Sequence, residues 1–193
     1  AVSWTSTRSM RYPIRFHDFV FATIMPNSEK RTQPFAVFMF CGIMPWTWFA
    51  SSMLEASNSL ISGGNLIKKV LFPAEVLPIV SVLSNMVHFA FGLPILFGFM
   101  LYNGHLPLLS NVAWFPVAII VQLILTLAFA LLLSALTVHF RDVRDLLGNL
   151  LTLWFFGTPI IYPYWTAPER IQRILALNPF THLAIAYQEV LFR

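Results

Sequence analysis

The sequence predicts an all-α fold, a bundle of helices that spans a membrane several times. Of its 193 residues, 58% are hydrophobic and only 10% are charged, and the mean hydropathy is +0.72. Soluble domains carry about 25% charged residues, so these charges are too few to cover a globular surface. The hydrophobic residues also form runs of about 20 residues, the length that a spanning helix needs. We therefore expect one transmembrane domain over residues 1–193.

Four apolar runs are long enough to cross a bilayer. Lipid offers no partner to a free backbone N–H or C=O, so each run is predicted to be a helix. The first run contains Pro45, which removes one backbone hydrogen bond inside that helix. A further apolar run at 19–26 is too short to span alone. The predicted spans are residues 35–54, 76–101, 114–138 and 146–162.

Three polar segments lie between or after these spans. Residues 59–73 contain Lys68-Lys69, and they predict a short amphipathic helix outside the membrane core because their apolar residues share one face. Residues 141–145 place four charges before the fourth span and are called the charged hinge. Residues 163–193 predict two short amphipathic helices that are broken at Asn178-Pro179.

Several kinds of chemistry are excluded by motifs that the sequence lacks. Gly63-Gly64 is not followed by the lysine and hydroxyl of a phosphate-binding loop, so ATP hydrolysis by that route is excluded. The histidines are not paired at helical spacing and have no ligand cluster beside them, so we expect no metal site. No nucleophile elbow occurs. We expect no catalytic residue and no cofactor in this chain.

The net charge of +4 does not predict a nucleic-acid partner, because the basic residues are scattered and form no stripe. Cys41, the single cysteine, lies in an apolar run and is predicted to be a small buried hydrophobe. His88 lies in the middle of the second span, where a polar side chain is often functional. Its neighbours Ser84 and Asn85 favour instead a hydrogen-bond cluster between helices.

No string of carboxylates runs along any predicted span. An ion-coupled transporter usually has one. The energy for any transport is therefore expected to come from another subunit.

Four motifs, taken in order, carry a resemblance to a known family. They are FMFCGIMPWTWFASSMLEASNSLISGGNLIKKVLFPAEVLPI, HFRDVRDL, TPIIYP and LNPFTHL. Together they resemble the membrane permeases of ABC exporters for cell-surface polysaccharides, which carry lipid-linked O-antigen, capsule or teichoic-acid chains. The resemblance runs from about residue 19 to the end. It implies a six-helix permease of the bacterial cytoplasmic (inner) membrane, which works as a homodimer with two ATPase subunits that hold ATP and Mg²⁺.

The chain departs from this family pattern at both ends. Residues 1–18 do not match the interface helix and first span of the family, and the sixth span is absent. The sequence also begins with Ala1 and ends at Arg193. We therefore expect an incomplete permease.

The resemblance also implies roles for particular residues. Residues 59–73 resemble the coupling helix that rests on the ATPase, through Asn65, Leu66, Ile67, Lys68, Lys69, Phe72 and Pro73. The cytoplasmic turn between the fourth and fifth helices of the family is matched by Phe140, Arg141 and Asp142. Thr158-Pro159 ends the fifth helix near the outer face. Residues 163–193 resemble the outer gate region, with its re-entrant helices broken at Asn178 and Pro179.

Aromatic side chains suggest a path for the polysaccharide, because the C–H faces of sugars are apolar and slide past rings. The candidates for the conduit or its mouth are Trp46, Trp48, Tyr162, Tyr164 and Trp165. An aromatic belt at the membrane surface is the alternative for each of them. Attraction to lipid headgroups is the alternative for Lys68 and Lys69, and a plain solvated loop is the alternative for the charged hinge.

The function that we predict is that of a permease subunit exporting lipid-linked polysaccharide. Its expected partners are an ATP-binding subunit, a second copy of the chain, the polysaccharide and membrane lipid. Two alternatives stay open, namely an ABC permease for drugs or small lipids and an ion-coupled secondary transporter.

Overall fold

The computed structural model describes residues 35–64, 73–104, 109–140 and 142–192, and the regular elements in these ranges are helical. The predicted all-α fold is confirmed. In chain order the elements are α1 (Phe35–Ser62), α2 (Val76–Tyr102), α3 (Leu109–Val112), α4 (Phe115–His139), α5 (Asp142–Phe156), a 3₁₀ turn (Tyr164–Thr166), α6 (Glu169–Ala176) and α7 (Pro179–Phe192).

Three of these helices, α1, α2 and α4, are long and apolar enough to cross a membrane, with 28, 27 and 25 residues. α1 continues past the predicted end at residue 54 and includes Glu55 to Ser62. Its 28 residues extend over about 42 Å, whereas the apolar layer of a bilayer is about 30 Å thick. The polar last turns of α1 therefore reach beyond that layer.

The fourth predicted span is a shorter helix than the sequence suggested. α5 has 15 residues, or about 22 Å, and it ends at Phe156 instead of continuing to residue 162. Gly157 and Pro159 account for this end, because glycine is a poor helix former and proline lacks the N–H. α5 also begins inside the charged hinge, where Asp142 and Asp145 in its first turn suit the positive end of the helix dipole.

α1 is the central element and packs against α2, α4, α5 and α7. Its buried side chains join two apolar clusters. The first cluster surrounds the start of α1 and includes Val37, Phe38, Trp48, Phe89, Tyr187 and Phe192. The second includes Trp46, Phe49, Met53, Leu147, Ile160 and Phe180.

α4 is small or polar on its buried face and apolar on its exposed face, as expected for a helix that faces lipid. The residues that it buries at every fourth position are small or polar, namely Ala118, Gln122, Thr126, Ala130 and Ser134. Large apolar side chains lie on its other face, where Ile124 is 63% exposed and Leu132 is 62% exposed. Small residues let helices approach closely inside a membrane, and apolar ones suit the lipid. This arrangement supports the prediction that the bundle is embedded in a membrane.

The last turns of α1 and α4 and the first turns of α2 and α5 lie at one end of the bundle. The Nη1 of Arg144 in α5 donates to the Oδ1 of Asn58 in α1 at 3.2 Å. We call this the hinge end. The start of α1 lies at the opposite end, where the ring of Phe38 meets that of Trp165 at a centroid distance of 6.5 Å.

Candidate functional site

The chain leaves its helical path inside the protein between α5 and the 3₁₀ turn. Thr158, Pro159 and Ile160 are buried, and Ile160 is fully so. A buried backbone that is not helical must find hydrogen-bond partners elsewhere. Side chains of α7 and of the turn before it supply them. Residues 157–163 are called the interrupted segment below.

Asn178 holds the start of the interrupted segment. Its Nδ2 donates to the Oγ1 of Thr158 at 2.9 Å and to the carbonyl of Gly157 at 3.4 Å. Its Oδ1 accepts from the Nε1 of Trp154 at 2.9 Å and from the backbone N–H of Phe180 at 3.0 Å. One amide side chain thus ties the end of α5 to the start of α7.

Gln188 holds the next part of the interrupted segment from two and a half turns further along α7. Its Nε2 donates to the carbonyl of Pro159 at 3.0 Å and to that of Ile160 at 3.4 Å. The side chain is only 4% exposed, so its amide hydrogens have little access to water. Asn178 and Gln188 together are called the amide clamp.

Gly42 in α1 makes room for the amide clamp. A Cβ at this position would lie 3.2 Å from the Nε2 of Gln188 and 3.3 Å from the carbonyl oxygen of Ile160. Both distances are shorter than an ordinary carbon contact of about 3.5–4.0 Å. The missing side chain therefore allows the interrupted segment to lie against α1, about two turns from the start of that helix.

Aromatic rings pack the end of α5 in place. The ring of Trp154 lies 5.4 Å from that of Phe49 and 6.3 Å from that of Trp46, both edge-on. Trp46 also meets Phe180 of α7 edge-on at 4.9 Å. Edge-to-face pairs add about 0.5–1.5 kcal/mol each beyond the area they bury, so α1, α5 and α7 form one packed unit around the amide clamp.

The amide clamp holds the chain in place through uncharged hydrogen-bonding groups. Its groups are two neutral amides, a hydroxyl and an indole, and they bond backbone or one another. Such groups can exchange hydrogen-bond partners without moving a proton or a charge. The arrangement therefore fixes a non-helical segment inside the bundle by neutral hydrogen bonds.

The predicted conduit aromatics fall into two groups. Trp46 and Trp48 are 6% and 2% exposed, and Trp48 stacks on Phe89 while its Nε1 donates to the carbonyl of Val82. Packing explains both, and within the described chain neither reaches a surface that a conduit would need. Trp165 is 39% exposed.

Tyr162 and Tyr164 are half-buried. The hydroxyl of Tyr164 donates to the carbonyl of Gln172 at 3.2 Å, which ties the 3₁₀ turn to α6. Conduit roles for Tyr162, Tyr164 and Trp165 stay predictions.

The predicted break at Asn178-Pro179 is confirmed, since α6 ends at Ala176 and α7 begins at Pro179. α6 is amphipathic as expected, with exposed Glu169 and Arg173 and buried Leu175. α7 differs from the expected amphipathic helix. It is inserted into the bundle and buries residues on most of its circumference, among them Phe180, Leu183, Ala184, Tyr187, Gln188 and Leu191.

Most of the predicted ATPase-contact residues lie outside the described residues, namely Asn65, Leu66, Ile67, Lys68, Lys69, Phe72 and Arg141. Pro73 is exposed, and its carbonyl accepts from the N–H of Val76 at the start of α2. Phe140 directly follows α4 and is 62% exposed, and Asp142 begins α5. All three lie at the hinge end.

Cys41 and Asn85, inside the spans, have the environments that the sequence suggested. Cys41 is buried, as predicted. Asn85 forms a bond between helices, because its Nδ2 donates to the Oε2 of Glu55 at 2.8 Å. His88 and Ser84 are exposed on α2, and His88 lines a small cavity beside this pair. Among the described hydrogen bonds, the predicted cluster is thus formed by Asn85 and Glu55 and does not include His88.

Sequence reasoning did not find Gly42, Trp154 or Gln188. A glutamine inside an apolar helix is a usable signal, because it must bond something that the helix itself does not offer. Gln122 in α4 is a second example, and its Nε2 donates to the carbonyl of Pro45 at 2.8 Å. Both glutamines bond carbonyls at prolines, where the helical pattern is disturbed.

Comparison with known proteins agrees with this architecture. The family described as ABC-2 type transporter matches residues 13–192. An O-antigen export system permease protein RfbA of Myxococcus xanthus is 39% identical over 179 residues, which are 91% of this chain and 68% of that protein. Two proteins of the same name from Klebsiella pneumoniae are 28% and 29% identical over 187 residues, which are 97% of this chain and 71% of each. The chain belongs to the ABC-2 type transporter family.

Proposed function

We propose that this protein is the membrane permease subunit of an ATP-driven exporter, which moves a lipid-linked polysaccharide of the O-antigen kind across the bacterial cytoplasmic membrane. The observation that carries the proposal is the 39% identity to an O-antigen export permease over 91% of the chain. The family match over residues 13–192 includes all of the described helices and the interrupted segment. The identity to the O-antigen export permease also favours polysaccharide over the alternative cargo of drugs or small lipids.

The interrupted segment supports a transport role. Membrane transporters place broken helices where a substrate path must open and close. The carbonyls of Gly157, Pro159 and Ile160 are held by side-chain amides, so the segment can shift by exchanging a few bonds. α5 and α7 are both too short to cross a bilayer alone, and they meet at the amide clamp. The 163–193 region would then act as the gate on the outer side.

Force would be supplied by a separate ATP-binding subunit that carries ATP and Mg²⁺. The predicted contact surface is residues 59–73 together with the charged hinge. The described residues of both, among them Ser62, Pro73 and Asp142, lie at the hinge end. A second copy of the chain would complete the translocation path. Because the ATP-binding subunit would be in the cytoplasm, the hinge end would face the cytoplasm.

Complementation tests the proposal directly. A strain that makes an O-antigen-like polysaccharide but lacks its export permease would receive this protein together with its ATP-binding subunit. We expect surface polysaccharide to be restored, as measured by labelling intact cells with a polysaccharide-specific antibody. Cells without the ATP-binding subunit serve as the control and should stay unlabelled. Polysaccharide that remains inside, at a normal permease level, would reject the proposal, and restored drug resistance instead would favour the other cargo.

The contact with the ATP-binding subunit has a separate test. Reversing the charge of Lys68 and Lys69 to Glu should lower the amount of ATP-binding subunit that copurifies with the permease. Reversing Arg170 and Arg173 in α6 is the matched control, because these residues lie on the predicted outer side. Unchanged copurification of the Lys68→Glu/Lys69→Glu protein would leave only the lipid-headgroup role for these lysines.

A further inference from the structure

A line of polar side chains runs along one face of α1. Thr47, Ser51 and Glu55 follow each other at intervals of four residues, and Asn58 and Ser62 continue the line to the hinge end. All five are exposed or half-buried. Polar side chains on a membrane helix rarely face lipid and line protein or water instead. Glu55, Asn58 and Ser62 belong to the last turns of α1, which reach beyond the apolar layer. This face therefore meets water or protein there, and Thr47 and Ser51 continue it toward the membrane interior.

Two cavities follow this line in the crevice between α1 and α2. The larger has a volume of about 590 Å³ and opens at the hinge end. The smaller, of about 130 Å³, lies deeper. The larger is lined in part by Glu55, Asn58, Ser59, Ser62 and Ser81, and the smaller by Thr47, Ser51, Asn85 and His88.

The Asn85–Glu55 pair connects the two cavities. Glu55 lines the larger cavity and Asn85 the smaller, and the Nδ2 of Asn85 donates to the Oε2 of Glu55 at 2.8 Å. The same Nδ2 donates to the carbonyl of Ser81 at 2.9 Å. The crevice thus has a polar wall from the hinge end to the depth of His88.

The hydroxyls of this wall are arranged as acceptors. Ser62 donates to carbonyls of its own helix at 3.0 and 3.2 Å, and Ser81 does so at 3.3 Å. Their oxygen lone pairs stay available to a ligand that brings its own donors. Leu54, Leu77 and Val80 form an apolar part of the larger wall. Sugars combine these two properties, because they carry donor hydroxyls beside apolar C–H faces.

The Glu55 carboxylate gives the crevice a strong hydrogen-bond acceptor. Sugar hydroxyls can donate to this carboxylate. The described walls include no lysine or arginine, although the Nη1 of Arg144 contacts the wall residue Asn58 at 3.2 Å.

We propose that the α1–α2 crevice binds sugar hydroxyls of the polysaccharide at the hinge end before the polysaccharide crosses the membrane. This inference rests on the proposed function. The crevice is separate from the amide clamp, which lies on the other side of α1 against α5 and α7. Ser62 and Gly63 line the crevice and are themselves part of residues 59–73, the predicted ATPase-contact segment. Occupation of the crevice would thus be sensed where the ATP-binding subunit is expected to dock.

Cysteine protection tests this site. Ser62→Cys and Ser81→Cys place single thiols in the wall, while Ser84→Cys on the exposed face of α2 lines neither cavity and is the matched control. Native Cys41 is fully buried and stays in place. The purified complex would be labelled with a small maleimide in the presence of delipidated polysaccharide. A parallel sample would receive glycan-free membrane lipid.

We expect saturating polysaccharide to slow labelling of both crevice cysteines about tenfold, because a site nine-tenths occupied leaves one tenth of the protein free. The control cysteine should be unaffected, and so should all samples with lipid alone. Equal protection of all three cysteines, protection by lipid alone, or no protection would each overturn the proposal.

A filling variant gives a second measurement. Ser81→Leu should reduce export in the complementation assay, whereas Ser84→Leu should not. Normal export by Ser81→Leu would count against the site while leaving the proposed function intact. Failure of the unmodified protein to export polysaccharide would instead reject the proposed function itself.

Discussion

At the scale of single residues, Asn178 uses the full hydrogen-bonding capacity of its amide. An amide oxygen accepts two bonds and an amide nitrogen donates two, and all four are made to Trp154, Phe180, Gly157 and Thr158. Replacing Asn178 with Ala leaves the indole N–H of Trp154 and the Gly157 carbonyl without this partner. We expect a loss of roughly 1–3 kcal/mol in the free energy of unfolding, seen as a lower melting temperature in detergent.

Asn103→Ala is the matched control, because the Asn103 side chain bonds only the Phe99 carbonyl of its own helix among the described contacts. Its melting temperature should change little. Equal melting of the two variants would show that the four bonds of Asn178 do not stabilise the fold.

A substitution at Gly42 tests whether the interrupted segment must lie close to α1. The two methyl groups of Val would add atoms to a Cβ that already lies within 3.1 Å of the Cγ2 of Ile160. Overpacking of this kind costs about 1–3 kcal/mol, and we expect Gly42→Val to lower both the melting temperature and export. Gly98→Val in α2 is the control, because a Cβ there meets no atom within 4 Å. A stable, active Gly42→Val protein would mean that the interrupted segment moves aside freely.

At the scale of elements, the sequence predicted the long helices and missed what joins them. Apolar runs of about 20 residues predict α1, α2 and α4, because length and hydrophobicity together identify a spanning helix. α1 nevertheless continues eight residues past its predicted end, from residue 54 to Ser62. The predicted fourth span ends six residues after α5 does, because residues 157–162 are mostly apolar although they are not helical. Their burial depends on Gln188, which is far away in the chain. Long-range hydrogen bonds of this kind leave only a weak trace in a single sequence.

The break after α5 has its own prediction. Gly157→Ala combined with Pro159→Ala restores helix-forming residues, so α5 is expected to continue past Phe156 and to pull Thr158 and Ile160 from their partners. Export should be lost at a normal protein level, as measured by surface polysaccharide. Gly148→Ala within α5 is the control, because a Cβ there meets no atom within 4 Å and alanine favours the helix by up to about 1 kcal/mol. Full export by the double variant would show that the break is dispensable.

At the scale of the whole molecule, α5 is attached to α1 at both of its ends. The aromatic rings of Trp154 and Phe49 join the two helices beside the amide clamp. Arg144 joins them at the hinge end through Asn58. A movement of the last turns of α1 would therefore reach the interrupted segment through α5 as well as through α1. Asp142 and Arg144 of the charged hinge lie in the first turn of α5, at the hinge end of this connection.

A substitution at Arg144 can test the connection between α1 and α5 with little effect on the stability of the fold. Its side chain is 47% exposed, and exposed polar contacts of this kind contribute about 0–1 kcal/mol. Arg144→Ala should therefore leave the melting temperature nearly unchanged. If the contact with Asn58 transmits movement, a loss of about 0.5–1 kcal/mol lowers export two- to fivefold. ATP hydrolysis by the complex should continue at its usual rate.

Asp145→Asn is the informative control for Arg144→Ala. It removes the carboxylate that bonds the Nε of Arg144 at 3.2 Å and leaves the Asn58 contact in place. Export and ATP hydrolysis would be measured together in vesicles that contain the complex, so that the ratio of polysaccharide moved to ATP consumed is obtained. A lower ratio for Arg144→Ala alone fits a mechanical link through Asn58. Equal ratios for both variants and the unmodified protein would mean that the Arg144–Asn58 contact does not couple α1 to α5.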